Sequence, residues 1–195
     1  MTRTEEKRAL RTQLRAAGLA LPESYRTAAD AAICARVMAL PEYRTAGTVF
    51  CFVSTEREIS TRAILTDALR AGKRVCVPLC TAPGLMEPRQ IRSLEELRPG
   101  ICGIPEPAAD SRYVPADEVD FSVIPCLSCS RSGQRLGQGG GYYDRFLSAY
   151  RASAVLICRE RLMREELPTE PHDRPVPWVV TEQALYEDGI PAREE

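Results

Sequence analysis

The sequence predicts an α/β protein, a three-layer α/β/α sandwich with a mostly parallel sheet. Two patterns carry that expectation. Short, nearly continuous apolar runs recur at residues 48–53, 74–79, 121–125, 154–158 and 178–181, and strands apolar on both sides belong in a sheet covered on both faces. Segments of helical periodicity lie between several of these runs, and that alternation favours parallel pairing. At 195 residues the chain suits one well-buried domain spanning 1–195.

The elements follow in order. Residues 4–17 read as an amphipathic helix with Leu10, Leu14 and Ala17 on one side, and Lys7 and Arg11, four apart, share a face. Leu21-Pro22-Glu23-Ser24 breaks it. A second helix, begun by Ser24 or Thr27, runs to residue 40 with Ala29, Ile33 and Val37 at helical spacing. The strand at 48–53 leads through a polar loop to a helix over 61–71, which Gly72-Lys73 ends. The strand at 74–79 is expected to finish at Pro78. Residues 81–115 are rich in proline and turns, with a short strand near Leu85 and a short helix at 93–97. Ser93 and Glu96 stand there at capping-box spacing. Then come a strand at 121–125, a glycine-rich loop, a helix at 142–150, a strand at 154–158, a charged segment and a strand at 178–181. Ligands of such sheets sit beyond the carboxyl ends of the strands. The loops after Val53 and Pro125 and the segment after Cys158 are therefore candidate site regions.

The glycine-rich loop is the most specific signal. Gly137, Gly139, Gly140 and Gly141, four of the chain's 12 glycines, fall within five residues between a strand and a helix start. Glycines let successive N–H groups converge on an anion, and a helix N-terminus adds free donors and the positive end of its dipole. Arg135 offers a planar fork for a phosphoryl group, and Asp144 a hard oxygen for Mg²⁺. The loop lacks the Gly-Lys-Ser/Thr ending of a P-loop, and Tyr142 stands where a dinucleotide fingerprint needs glycine.

Composition narrows the rest. A hydrophobic share of 44%, 27% charged residues and a net charge of -1 give no reason to expect a nucleic-acid or membrane partner. The charged N-terminus is unlike a secretory signal, and no apolar run reaches membrane-span length, so a cytoplasmic location is expected. Among the eight cysteines, Cys51, Cys76 and Cys158 lie in apolar runs. Cys126-Leu-Ser-Cys129 forms one CxxC, without an obvious fourth zinc ligand. Reduced, structural cysteines are the expectation.

Taken with its flanks, Arg135-Leu-Gly-x-Gly-x-Gly-Tyr-Tyr-Asp144 closely resembles the signature of the 5-formyltetrahydrofolate cyclo-ligase family, also called methenyltetrahydrofolate synthetases. Lys7-x-x-Leu-Arg11, Ser54-x-x-x-Glu58-Ile-x-Thr61, Gly72-Lys73-x-Val-x-Val-Pro78, Met86, Gly103-Ile-x-Glu106-Pro107, Leu167-Pro-x-Glu-Pro-His172-Asp173 and Val179-Val-Thr181-Glu182 follow in the family's order. The resemblance implies an ATP- and Mg²⁺-dependent enzyme that cyclises 5-formyltetrahydrofolate to 5,10-methenyltetrahydrofolate with release of ADP and phosphate. It also implies a fold related to sugar-phosphate isomerases and CoA-transferases, a monomer, and small molecules as the partners.

By the same resemblance, Lys7 and Arg135 are the expected catalytic residues. Lys7, Arg11, Gly133, Gln134, Arg135, Leu136, Gly137, Gln138, Gly139, Gly140 and Gly141 would bind ATP. Asp144 and Asp173 would hold Mg²⁺. Glu58 would hydrogen-bond the pterin, Val53 and Met86 would line its pocket, and Tyr142 and Tyr143 would offer ring faces. His172 is expected to be structural. The chain departs from the family pattern at Cys129-Ser130, where many members have Phe-Asp, and over Cys158-Arg-Glu-Arg-Leu162, where many have an aromatic residue and a later Gln. Two other readings stay open: an ATP-dependent ligase for another N-formyl or carboxylate substrate, and a folate- or nucleotide-binding protein without turnover.

Overall fold

The apolar runs meet in one eight-stranded sheet. The structure is a computed structural model describing residues 2–100, 103–150 and 152–192. Helix α1 (Arg3–Leu19) starts earlier than periodicity suggests because Thr2 caps it. The Thr2 hydroxyl accepts the Glu5 N–H, and the Glu5 carboxylate accepts the Thr2 N–H. Helix α2 (Glu23–Ala39) follows Pro22, and a short α3 (Pro41–Thr45), not expected from periodicity, opens on Pro41. Strand β1 (Thr48–Cys51), helix α4 (Arg62–Arg70) and strands β2 (Arg74–Ala82) and β3 (Leu85–Ile91) come next. Two short strands, β4 (Arg98–Pro99) and β5 (Pro105–Glu106), form a small ribbon. Then follow β6 (Phe121–Pro125), the paired β7 (Ser128–Cys129) and β8 (Arg135–Leu136), helix α5 (Tyr142–Ala149), β9 (Ser153–Ile157), β10 (Trp178–Val180), β11 (Leu185–Glu187) and β12 (Ile190–Pro191).

The sheet order is β12-β11-β10-β9-β6-β1-β2-β3. Its centre, from β10 to β2, is parallel, and only the outer pairings are antiparallel. Side chains alternate between two cores, as strand geometry requires. Val49, Cys51, Val75, Val77, Phe121, Val123, Val155 and Ile157 face α2, α3 and α4. Phe50, Cys76, Ile124, Leu156 and Val179 face α5. The Phe146 ring of α5 stacks on Phe50 at 4.5 Å between centroids and on Tyr150 at 5.3 Å. That contact seats the helix on the sheet.

Two expectations change. Strand β2 does not end at Pro78 but runs on to Ala82, because Pro78 faces Pro88 across the β2–β3 ladder. Two prolines can face each other only at a pair whose N–H positions point away from the partner strand. On that side β1 pairs with β2 no further than Cys76, so the missing N–H breaks no bond. The second change lies before the glycines: β6 does not lead straight into the loop, because the β7–β8 hairpin intervenes. The 93–97 helix is a single 3-10 turn. Its Ser93 hydroxyl accepts the Glu95 N–H, while Glu96 reaches the Arg92 N–H rather than closing a box.

Candidate functional site

The carboxyl ends of β1, β6 and β9 open on one edge of the sheet, and α1 lies across it. Leu14 of α1 is buried with Leu136 and Leu167, and Leu10 packs beside them. Leu136 thus serves as the apolar anchor holding α1 over the loop. From that seat the basic face of α1 reaches the glycines. Arg11 Nε donates to the Gly137 carbonyl at 2.9 Å, and Arg15 donates to Gln138 Oε1 at 2.9 and 3.2 Å. Arg15 continues the four-residue spacing of Lys7 and Arg11, so the sequence itself carries the signal for this third basic contact. Burial, then the charge of Arg15, pulls the Arg11 pKa down from its ordinary value, as expected where cations crowd around a place for an anion.

The glycines divide into two groups. Gly133 has φ +78°, and a Cβ there would lie 1.9 Å from the Val176 carbonyl oxygen. Its tasks are the β7–β8 turn and close approach to the 176 backbone, whose N–H donates to the Gly133 carbonyl at 3.0 Å. Gln134 turns away from the loop and accepts the Leu167 N–H at 3.2 Å. The second group is the loop proper. Gly139 has φ +101° under Arg11, and Gly141, at φ +71°, is the N-cap of α5. Arg145 donates to the Gly84 carbonyl at 2.9 Å and the Gly140 carbonyl at 3.4 Å, tying the loop to the β2–β3 turn. Arginines therefore hold the Gly137 and Gly140 carbonyls, while the backbone N–H groups from Gly137 to Asp144 have no acceptor among the described residues.

Two of the three expected phosphate cations, Lys7 and Arg135, are each paired with an expected metal ligand. Lys7, only 4% exposed, donates to Asp173 at 2.6 Å and to Glu170 at 2.7 Å. Its ammonium holds the Glu170 carboxyl below the ordinary range. Asp173 also accepts the Glu170 N–H at 2.7 Å. Arg135 donates to Asp144 Oδ2 at 2.9 Å and lies over the Tyr143 ring at 5.6 Å, while its buried Nε has no partner among the described residues. The other Asp144 oxygen accepts the Arg174 N–H at 3.3 Å, which brings the residue next to Asp173 onto Asp144. The segments that carry the two carboxylates are thus joined at Arg174. His172 is 71% exposed, its Nε2 3.7 Å from Asp173, so it supports little. No sequence signal linked Lys7 to a segment 166 residues away.

Beside the loop lies a cavity of about 150 Å³ lined by Arg15, Gln138, Thr55, Glu58, Cys126 and Arg159, among others. It adjoins an open groove of about 1020 Å³ that includes Val53, Glu58 and Arg159. Gln138 of the loop and Glu58 of the β1 segment therefore share one wall system. Glu58 is turned back onto Thr55, accepting its N–H and hydroxyl at 2.9 Å. Arg159, 4% exposed, grips both oxygens of Asp30 at 2.8 and 3.0 Å and donates to the Glu58 carbonyl at 2.9 Å. The departure at 158–162 thus installs a strut that fixes the 55–60 segment. At the other departure, Ser130 is buried and its hydroxyl accepts the Gln134 N–H at 3.1 Å, so the hairpin turn is held without an acid. Tyr143 packs between both cores, and burial, then the nearby Glu58 carboxylate, pushes its phenol well up. Tyr142 covers Gly140, where a Cβ would meet its ring at 2.7 Å. Met86 packs in the α5-side core and does not line either cavity.

Three cysteines meet at the cavity floor. Cys126, Cys129 and Cys158 have sulfurs all within 4.8 Å of one another. Hydrogen bonds from Cys129 and then Cys158 draw the Cys126 thiol well below its ordinary range. The described cysteines are all free; Cys102 lies outside the described residues.

Fold and site together define an α/β protein with a glycine-rich helix start beneath a basic helix. The comparisons then fix which one. The chain belongs to the 5-formyltetrahydrofolate cyclo-ligase family, whose model matches residues 3–182. It is 34% identical over 158 residues to the 5-formyltetrahydrofolate cyclo-ligase of Escherichia coli K12, covering 78% of this chain and 87% of that one. It is 30% identical over 170 residues to a probable 5-formyltetrahydrofolate cyclo-ligase of Schizosaccharomyces pombe, covering 78% and 83%. Among solved structures, the 5,10-methenyltetrahydrofolate synthetase of Aquifex aeolicus superposes with a TM-score of 0.83 at 25% identity, covering 97% of this chain and 96% of that one. No helix among the described residues is long and apolar enough to cross a membrane.

Proposed function

We propose that this chain is an ATP- and Mg²⁺-dependent cyclo-ligase, a cytoplasmic monomer that converts 5-formyltetrahydrofolate to 5,10-methenyltetrahydrofolate with release of ADP and phosphate. The observation that carries the reading is the loop from Gly137 to Asp144. Its N–H groups lack protein acceptors among the described residues, and arginines hold its Gly137 and Gly140 carbonyls. That is a donor surface fit for phosphate oxygens.

The formyl oxygen is a poor leaving group. In the proposed reaction it attacks the γ-phosphorus of ATP, and the bond to ADP breaks. The folate N10 then attacks the formyl carbon, phosphate leaves from that carbon, and N10 gives up its proton. Little of this calls for a strong protein base; positioning and charge neutralisation dominate. Lys7, Arg11 and Arg135 balance phosphate charge. Asp144 and Asp173 supply hard carboxylate oxygens that suit Mg²⁺, which shields phosphate charge when bound. Glu58 and Val53, on the groove, and Tyr142 and Tyr143 are assigned to the folate. Met86 packs in the α5-side core.

The test mixes purified protein with 5-formyltetrahydrofolate and Mg·ATP and follows the near-ultraviolet absorbance of the methenyl product. ATP-dependent turnover is expected. Binding of the folate without conversion, or binding of ATP with no folate binding, would sink the reading in favour of sequestration or of another substrate.

A further inference from the structure

We propose that Cys126, Cys129 and Cys158 form a binding site for a soft d¹⁰ metal ion, of the Zn²⁺, Cd²⁺ or Cu⁺ class, built into the floor of the cavity beside Glu58. Strand register creates the cluster. β6 and β9 are adjacent parallel strands with Pro125 opposite Ile157, so the next residues, Cys126 and Cys158, leave the sheet side by side. Cys129 sits three residues on in β7 and folds back onto both. The CxxC alone supplied only two ligands; the third comes from a strand about thirty residues away, as the β6–β9 register dictates.

The spacing suits one ion. Three sulfurs no more than 4.8 Å apart share a centre within about 2.8 Å of each, against a metal–thiolate bond of about 2.3 Å. Sub-ångström adjustment of each side chain closes the difference. Three thiolates select thiophilic d¹⁰ ions over Mg²⁺ or Ca²⁺, which take oxygen ligands. Cys129 and Cys158 are buried, whereas Cys126 is half-buried, and Cys126 and Cys158 line the cavity. The cavity provides an entry path and leaves a fourth coordination position open, the mark of a site that is more than a structural clamp. Charge fits as well. Three thiolates around a divalent ion carry a net negative charge, and Arg15, Arg26 and Arg57 line the same cavity. The site is argued from its own sulfur geometry and does not depend on the cyclo-ligase reading.

The test titrates the reduced full chain with Cd²⁺ under anaerobic conditions and follows the thiolate-to-cadmium charge-transfer absorbance. Saturation at one equivalent is expected. Cys129→Ser should weaken binding more than about tenfold, while Cys76→Ser, a buried strand cysteine outside the cluster, should bind like the parent. X-ray absorption on the one-equivalent complex of the unaltered chain counts the sulfur ligands and needs no variant to fold. Three sulfurs support the site. Fewer than three, no saturable band, or an unchanged affinity in Cys129→Ser overturns it.

Discussion

Replacing Asp144 separates its structural work from its chemical work. The Arg135 side chain is 5% exposed and Asp144 18%, and they meet at 2.9 Å. Arg135 Nε already lacks a partner. Asp144→Ala therefore leaves a buried guanidinium with its nearest counter-charge gone. Breaking a buried pair from one side costs about 3–5 kcal/mol, and the partial exposure of Asp144 puts the expected loss near the lower end, about 3 kcal/mol. For a chain of this length that lowers Tm by about 6–12 °C. Asp144→Asn keeps a carbonyl oxygen for Arg135 and should cost only about 1 kcal/mol, or about 2–4 °C. Both variants remove an anionic oxygen that the proposed function assigns to Mg²⁺. The Asn variant should therefore lose about tenfold or more of its turnover at limiting Mg²⁺ while staying folded. Thermal melting without ligands and the methenyl assay across a Mg²⁺ series measure the two effects. An Ala variant melting within about 2 °C of the parent refutes the buried-pair argument. An Asn variant at the parental rate refutes the metal role.

Gly133→Ala should destabilise by at least about 2 kcal/mol, because the new Cβ meets the Val176 backbone at φ +78°. Gly72→Ala, at φ +72° with nothing within 4 Å, should cost only about 1 kcal/mol of strain; equal losses by denaturant titration would show that the contact is irrelevant. Arg159→Lys cannot hold both Asp30 oxygens and the Glu58 carbonyl. It should raise KM for the folate several-fold with a smaller change in kcat, and a pure kcat loss would count against its role in shaping the groove. Burial, then the hydrogen bond to Glu182, pushes the Tyr25 phenol from 10.0 to about 12. A raised folded pKa means stability that is full below pH 10.0 and lost as pH rises towards about 12. Tyr25→Phe should flatten that alkaline loss in melting curves, and an unchanged slope contradicts the assignment.

The sheet was legible where burial is symmetric. Val49 and Phe50 face opposite cores, so the run is apolar throughout and reads as a central strand. Strand β3 was reduced to a hint near Leu85 because its Glu87, Pro88 and Arg89 look like loop. As the outermost strand of the sheet it tolerates them, with Arg89 gripping Glu87 at 2.6 Å. The glycine loop stands out in the sequence because its residues are contiguous. Gly133 and Gln134 were grouped with it because a sequence does not show that a hairpin turn separates them from the later glycines. The pairings of Lys7 with Asp173, Arg159 with Asp30, and Cys158 with the CxxC are products of topology. Spacing along the chain carries no trace of them.

Those pairings explain why the site needs its acids and its cations together. Lys7 and Arg135, with side chains 5% exposed, are costly to bury alone, and Asp173 and Asp144 supply the compensation at 2.6 and 2.9 Å. Phosphate oxygens that draw off Lys7 and Arg135 would strand two carboxylates unless a cation arrives with them. In the proposed function Mg·ATP would bring both charges, so every group would exchange one partner for another and no buried charge would be left uncompensated. ATP without Mg²⁺ satisfies only the cations. Calorimetric titration should therefore find ATP at least about tenfold tighter with Mg²⁺ than with chelator, and the gap should shrink in a Lys7→Met, Asp173→Leu, Glu170→Gln triple variant that removes Lys7 with both of its carboxylate partners. Equal affinity with and without Mg²⁺ in the parent chain refutes the exchange, because the carboxylates would then tolerate losing their partners.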